Sequence, residues 1–174
     1  MRITKWAQFI TAVIALVFAG AAMAAKPVGI TGDIMSVNVN HNGKTVAISR
    51  DQNTDATVIP AFAKTSRPCP PFCIQPIVLA PGVETLGELE ILQYLKRMAD
   101  GDNSVLVIDS RTPDWVQKGT IPGAVNIPWT ALNPAKGADP ISIGFILEEQ
   151  FGAKSMEGLW DYSNAKTLVM FCNG

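Results

Sequence analysis

Hydrophobic and polar positions change rhythm several times along this chain of 174 residues. Ser36-Val37-Asn38-Val39-Asn40 alternates with period two, and Thr45-Val46-Ala47-Ile48-Ser49 does so again. That is the spacing of strands that turn one face to a core. His41-Asn42-Gly43-Lys44 joins them, and Asn-Gly favours the tight turn whose two central residues need positive φ. The pattern predicts a β-hairpin, with His41 solvated at its turn. From Leu86 the period lengthens. Leu86, Leu89, Leu92, Leu95 and Met98, widened by Ile91, fall on one face of a helix. Thr85 followed by Glu88 has the form of a capping box, and Asp100-Gly101 is a stop. The stripe predicts packing against a sheet.

Two later runs are apolar without alternation. Val105-Leu106-Val107-Ile108 is rich in β-branched residues and bounded by turn residues, which predicts a strand covered on both faces. Thr167 to Phe171 predicts a second buried strand. Between them, Thr112-Pro113 marks a helix start, Trp115 and Val116 give that helix an apolar side, and Gly119 ends it. Residues 121–134 read as Pro-rich and extended. Ile143 to Phe151 predicts a further helix, ended by Gly152. Strand, helix and strand at these intervals indicate an α/β fold with a mainly parallel sheet. Pro60, Pro68, Pro70, Pro71, Pro76 and Pro81 exclude a helix or central strand from their segment. That segment reads as a linker or wrapping arm. The organisation predicted is a leader over 1–24, hairpin and Pro-rich arm over 25–82, and an α/β domain over 83–174.

Charge and composition narrow the partners. The formal charge is −1 and the chain has no long basic run, which argues against nucleic acid. The apolar fraction of 48% suffices for a core, although the first residues inflate it. There, Arg2 and Lys5 precede the apolar stretch Phe9 to Ala19, and Ala22-Met23-Ala24 has the form of a cleavage site. This pattern predicts a signal peptide cut before Ala25 and export, in a bacterial cell to the periplasm. The alternative is an uncleaved membrane anchor, for which the apolar run is short. Cleavage leaves no stable span and takes the charge from −1 to −3.

Export changes the reading of three cysteines, Cys69, Cys73 and Cys172. In CPPFC, Cys69 and Cys73 are a step too far apart for a Cys-x-x-Cys redox motif. Lacking a nearby histidine or second pair, they make a poor zinc site. A local disulfide is the first reading. A resolving pair that exchanges with Cys172 is the second, and unpaired or intermolecular thiols the third. Phe72 between them reads as an aromatic anchor for the arm. No metal site is predicted.

The stretch VLVIDSRTPDWVQKGTIPGAVNIPW, residues 105–129, resembles the rhodanese-like domain. That family shows a strand ending in Asp-x-Arg, here Asp109 and Arg111. A short helix with an acid–aromatic pair follows, here Asp114 and Trp115. Then comes Gly-His-Ile-Pro-Gly-Ala-x-Asn-Ile-Pro, matched by Gly119, Ile121, Pro122, Gly123, Ala124, Asn126, Ile127 and Pro128. The family's histidine is Thr120 here, which implies a weakened structural hydrogen bond. The resemblance implies a parallel sheet flanked by helices. Asp109 and Arg111 lie at the carboxyl end of their strand, where open α/β sheets place their sites, and read as an ion pair bracing a loop.

The resemblance also places Cys172 at the nucleophile's position, directly after a buried strand. Read without it, a cysteine there is a small buried hydrophobe. The family's nucleophile opens a loop whose backbone amides, with a following helix, cradle thiolate and persulfide anions. Asn173 and Gly174 would be the first members of that cradle. The implied activity is a sulfurtransferase: Cys172 takes sulfane sulfur from a small donor such as thiosulfate or a persulfide and passes it to a thiol or cyanide. The persulfide is itself the carrier, so no cofactor is implied, and no protein partner is indicated. The chain ends two residues into the loop, so the expectation is a domain incomplete at its C-terminus, with its newest strand uncovered and weak or no turnover. The rival reading is a non-catalytic rhodanese-like binding or scaffold module, since fold does not fix function.

Overall fold

The computed structural model describes residues 27–53, 55, 57 and 79–172. The predicted leader, Cys69, Cys73, Phe72, Asn173 and Gly174 lie outside the described residues. The predicted hairpin is present as β1 (Ser36–His41) and β2 (Lys44–Ser49), paired antiparallel with His41 opposite Lys44. Asn42 and Gly43 take φ of 52° and 75°, the left-handed pair that closes a two-residue hairpin with the strands' own twist. Val37 and Val39 are buried while their neighbours face out.

The amphipathic helix α1 spans Glu88–Ala99. It begins later than the capping-box reading placed it. Gly87 is the N-cap and has no side chain to offer the first turn. Glu88 instead accepts from Arg50 Nη2 at 2.7 Å, tying the helix start to the end of the hairpin. The predicted stripe does pack inward, with Leu95 fully buried against the hairpin and the sheet.

The sheet is built on β3 (Val105–Asp109), buried along its whole length. It lies between β4 (Val125–Asn126) and β7 (Thr167–Phe171), both parallel to it. Side chains of β3 alternate between two cores. Val107 joins Val37, Val39, Leu95 and Val169 on the hairpin side. Leu106 and Ile108 join Ile127 and Phe151 on the other. The run without polar alternation is therefore that of a strand covered on both faces. β7 departs from the same expectation. Only Val169 is buried, and Met170 is 53% exposed. Among the described residues β7 lies at an edge of the sheet, and its apolar run is half covered rather than enclosed.

Connections differ from the sequence reading in detail. The short helix α2 (Pro113–Val116) follows Thr112 as predicted. The stretch 121–134 is not extended throughout: after β4 it coils into a 3-10 turn at Trp129–Leu132. The next helix starts before Ile143. Asp139 Oδ1 accepts from the amides of Ile141 and Ser142, both at 3.0 Å, and Pro140 opens α3 (Pro140–Phe145). A π-turn at Ile146–Gln150 continues it, and Gly152 ends it with φ of 76°. A hairpin of β5 (Lys154–Met156) and β6 (Leu159–Asp161), unpredicted because its strands are too short to show alternation, leads back to β7.

Candidate active site

The carboxyl ends of β3 and β7 lie side by side, with Asp109 opposite Phe171. Ser110 closes the pair. Its amide and its hydroxyl both donate to the Phe171 carbonyl, at 3.0 and 2.9 Å. Arg111 lies two residues past Asp109 and Cys172 one past Phe171, and both border one cleft, so a cation and a thiol share this edge.

Asp109 is 1% exposed, and a buried carboxylate is tolerated only when paired and hydrogen-bonded. Arg111 Nε and Nη2 donate to its two oxygens at 2.9 and 2.6 Å, the forked geometry a guanidinium offers a carboxylate. Thr120 Oγ1 adds a third donor at 2.7 Å. These contacts, the Arg111 bond first, hold the Asp109 carboxyl down at about 2 against burial's opposing push. Asp109 in turn keeps Arg111 protonated, with a smaller contribution from the sulfur of Cys172 nearby. Arg111 Nη2 also reaches the Gly119 carbonyl at 2.7 Å. The pair thus ties the β3 end to the loop that follows α2. Thr120 keeps a hydrogen bond to the strand end, so the missing histidine does not leave that carboxylate short of a donor. Asn126 Nδ2 donates to the carbonyls of Asp109 and Arg111, both at 2.9 Å, and fixes the turn from below.

The loop 119–124 is also held from the hairpin, which the sequence did not disclose. His41 is not simply solvated: its Nδ1 accepts from the Gly123 amide at 3.2 Å. Gly123 has φ of 92°, and a Cβ there would sit 3.1 Å from Leu95 Cδ2 and 3.3 Å from Val39 Cβ. Both the backbone conformation and the close approach require glycine. The Asn-Gly turn signalled that His41 would lie at a hairpin tip; only the tertiary packing of that tip on the loop gives it a partner.

Cys172 is exposed, so it is not the small buried hydrophobe that an isolated reading of a strand-end cysteine suggests. The physical reason is the edge position of β7, which leaves the residue after Phe171 uncovered. It borders a cleft of about 590 Å³. Arg111, Lys118 and Thr120 supply the polar wall; Ile48, Leu92 and Ile121 supply the apolar one. Arg111 Cζ lies 5.8 Å from the Phe171 ring centre, and Lys118 Nζ sits 4.2 Å over the half-exposed ring of Trp115. Asp114 is exposed, its carboxyl held below the usual range chiefly by the Thr112 side chain. Among the described residues, no three His, Cys, Asp or Glu side chains gather to hold a metal ion.

A thiol at the carboxyl end of a parallel strand, beside cations and an open cleft, defines an α/β protein with a candidate nucleophile at the sheet's edge. Residues 92–174 match the family model described as Rhodanese-like domain, and this part of the chain is a rhodanese-like domain. Comparison with curated proteins and with solved structures found no match.

Proposed function

We propose that the chain is a sulfurtransferase that carries sulfane sulfur as a persulfide on Cys172. The supporting observation is the placement of Cys172: exposed, after β7, in a cleft whose polar wall includes Arg111 and Lys118. A thiolate is the nucleophilic form of cysteine, and cations on the cleft wall attract an anionic donor such as thiosulfate. In the loading step the Cys172 thiolate attacks the outer sulfur of a donor such as thiosulfate. The Cys172–sulfur bond forms, the donor's S–S bond breaks, and sulfite leaves with the bonding pair. In the unloading step an acceptor thiolate or cyanide attacks the outer sulfur of the persulfide, and Cys172 departs as thiolate. The chain's own residues position and attract; Asp109 keeps Arg111 in place and takes no proton. The N-terminal pattern of charge, apolar run and small residues supports action after export.

Turnover of thiosulfate and cyanide to thiocyanate tests this reading. Cys172→Ser should remove whatever turnover the chain supports, while Cys69→Ser and Cys73→Ser should retain it. Activity unchanged in Cys172→Ser would overturn the assignment of Cys172, and no persulfide on Cys172 after incubation with thiosulfate would favour a binding module.

A further inference from the structure

The cleft beside Cys172 has Ile48, Leu92 and Ile121 as its apolar wall. The same three side chains form one wall of a recess of about 200 Å³ on their other side. Ile30 and Ile91 complete its apolar lining, and the Arg50–Glu88 pair, 2.7 Å apart and exposed, marks its rim. The cleft has a charged end at the thiol and an apolar end at Ile48, Leu92 and Ile121, and the recess backs that apolar end between hairpin and α1. Ile30, Ile48 and Ile91 all precede residue 92, where the family match begins. Ile48 of the hairpin, with Ile30 before it and Ile91 on α1, therefore adds a surface that the matched segment does not make by itself.

The geometry points to a substrate class for the proposed transfer: the acceptor is a small thiol with an apolar body, its hydrocarbon lying on Ile48, Leu92 and Ile121. This assignment rests on the sulfurtransferase reading. The attacking form of such an acceptor is a thiolate, and Arg111 and Lys118 are the cations on the cleft wall that it would face. Charge and hydrophobicity thus run in the same order along the groove as along the acceptor. The attack balances as in any thiol exchange. The acceptor's S–S bond to the outer sulfur forms as the Cys172–sulfur bond breaks, and the proton of the acceptor thiol passes to solvent. Ile48 acts here as a specificity residue, through apolar area rather than chemistry. Each methylene taken out of water is worth roughly a threefold to fourfold gain when fully buried, and about half of that logarithmically on an open wall.

Two experiments on the full chain separate this inference from the reading beneath it. In the first, Cys172 reacts with alkyl methanethiosulfonates from ethyl to hexyl, and the rate is read by mass mapping of the Cys172 peptide. No sulfane sulfur is involved, so the result stands whether or not the chain is a sulfurtransferase. Relative to N-acetylcysteine in solution, the hexyl reagent should outpace the ethyl one by roughly tenfold on Cys172. Ile48→Ala should cut that ratio at least in half, with circular dichroism verifying the hairpin. In the second, persulfidated chain is discharged by ethanethiol, hexanethiol or a cysteine-containing apolar peptide, and hexanethiol should be fastest. A flat chain-length profile in the unsubstituted protein would overturn the inference, as would a preference for the peptide. A steep profile in the first experiment with no persulfide in the second would leave the groove standing and remove the sulfurtransferase.

Discussion

β3 and β7 are adjacent parallel strands of equal length whose carboxyl ends meet, yet they are built for different purposes. Every residue of β3 is buried and its last side chain, Asp109, is bonded to Arg111 and Thr120. β7 has one buried residue and leads to an exposed thiol. The first strand spends its end on holding the loop 119–124; the second presents a group to solvent. A residue placed to brace must be desolvated and saturated with partners, because an unpaired buried charge is costly. A residue placed to react must stay reachable. The contrast gives the ionisable pair of the motif a structural role and leaves the exposed thiol after the weaker strand as the side chain on which the proposed chemistry rests.

Truncating the two strands in parallel should break the symmetry most visibly. Ile108 is fully buried, so Ile108→Ala should cost about 3–4 kcal/mol, within the range for a buried aliphatic. Met170 is 53% exposed, and Met170→Ala should cost less than about 1 kcal/mol. Urea midpoints of the two variants measure the difference, and equal losses would mean that β7 is as enclosed as β3.

The brace should show itself in acid. The folded Asp109 carboxyl titrates at about 2 against an ordinary 3.8, so its ionised form favours the folded chain. That contribution is complete above about pH 4, falls away as pH drops from about 4 to about 2, and is on the order of 2 kcal/mol. Asp102, also held at about 2, titrates in the same window, so the sharper probe is Thr120→Val. Removing the Thr120 donor should raise the Asp109 value toward 3.8 and move the acid transition upward, and an unmoved transition would show that Arg111 suffices without Thr120.

Smallest of all should be the stability change in Cys172→Ser, within about 0.5 kcal/mol, because an exposed side chain has little packing to lose. A larger loss in thermal melts would place Cys172 among the bracing residues.

Elements with strong periodicity were legible from the sequence. The hairpin, α1 and β3 lie where alternation, the helical stripe and the apolar run predict them. Starts and edges were not. The capping-box residues Thr85 and Glu88 carry a local signal, but Glu88 is drawn to Arg50, 38 residues away. Phe171 and Leu168 read as buried because an apolar run cannot say which neighbours its strand will have. At the site, Asp109 and Arg111 follow from their motif, and Cys172 from its position after a strand. His41 and Ile48 could not be found in the same way. Their roles arise from the hairpin packing over the loop and cleft, a contact between residues 82 positions apart in the case of His41 and Gly123.

The central claim is that Cys172, and not the more N-terminal pair, carries the sulfur. Mass mapping of the chain after incubation with thiosulfate, with alkylation to trap persulfides, tests it most directly. The account predicts a mass gain of one sulfur atom on the peptide ending in Cys172-Asn173-Gly174 and none on the peptide holding Cys69 and Cys73. An added sulfur on Cys69 or Cys73, with Cys172 recovered as an ordinary thiol, would contradict it.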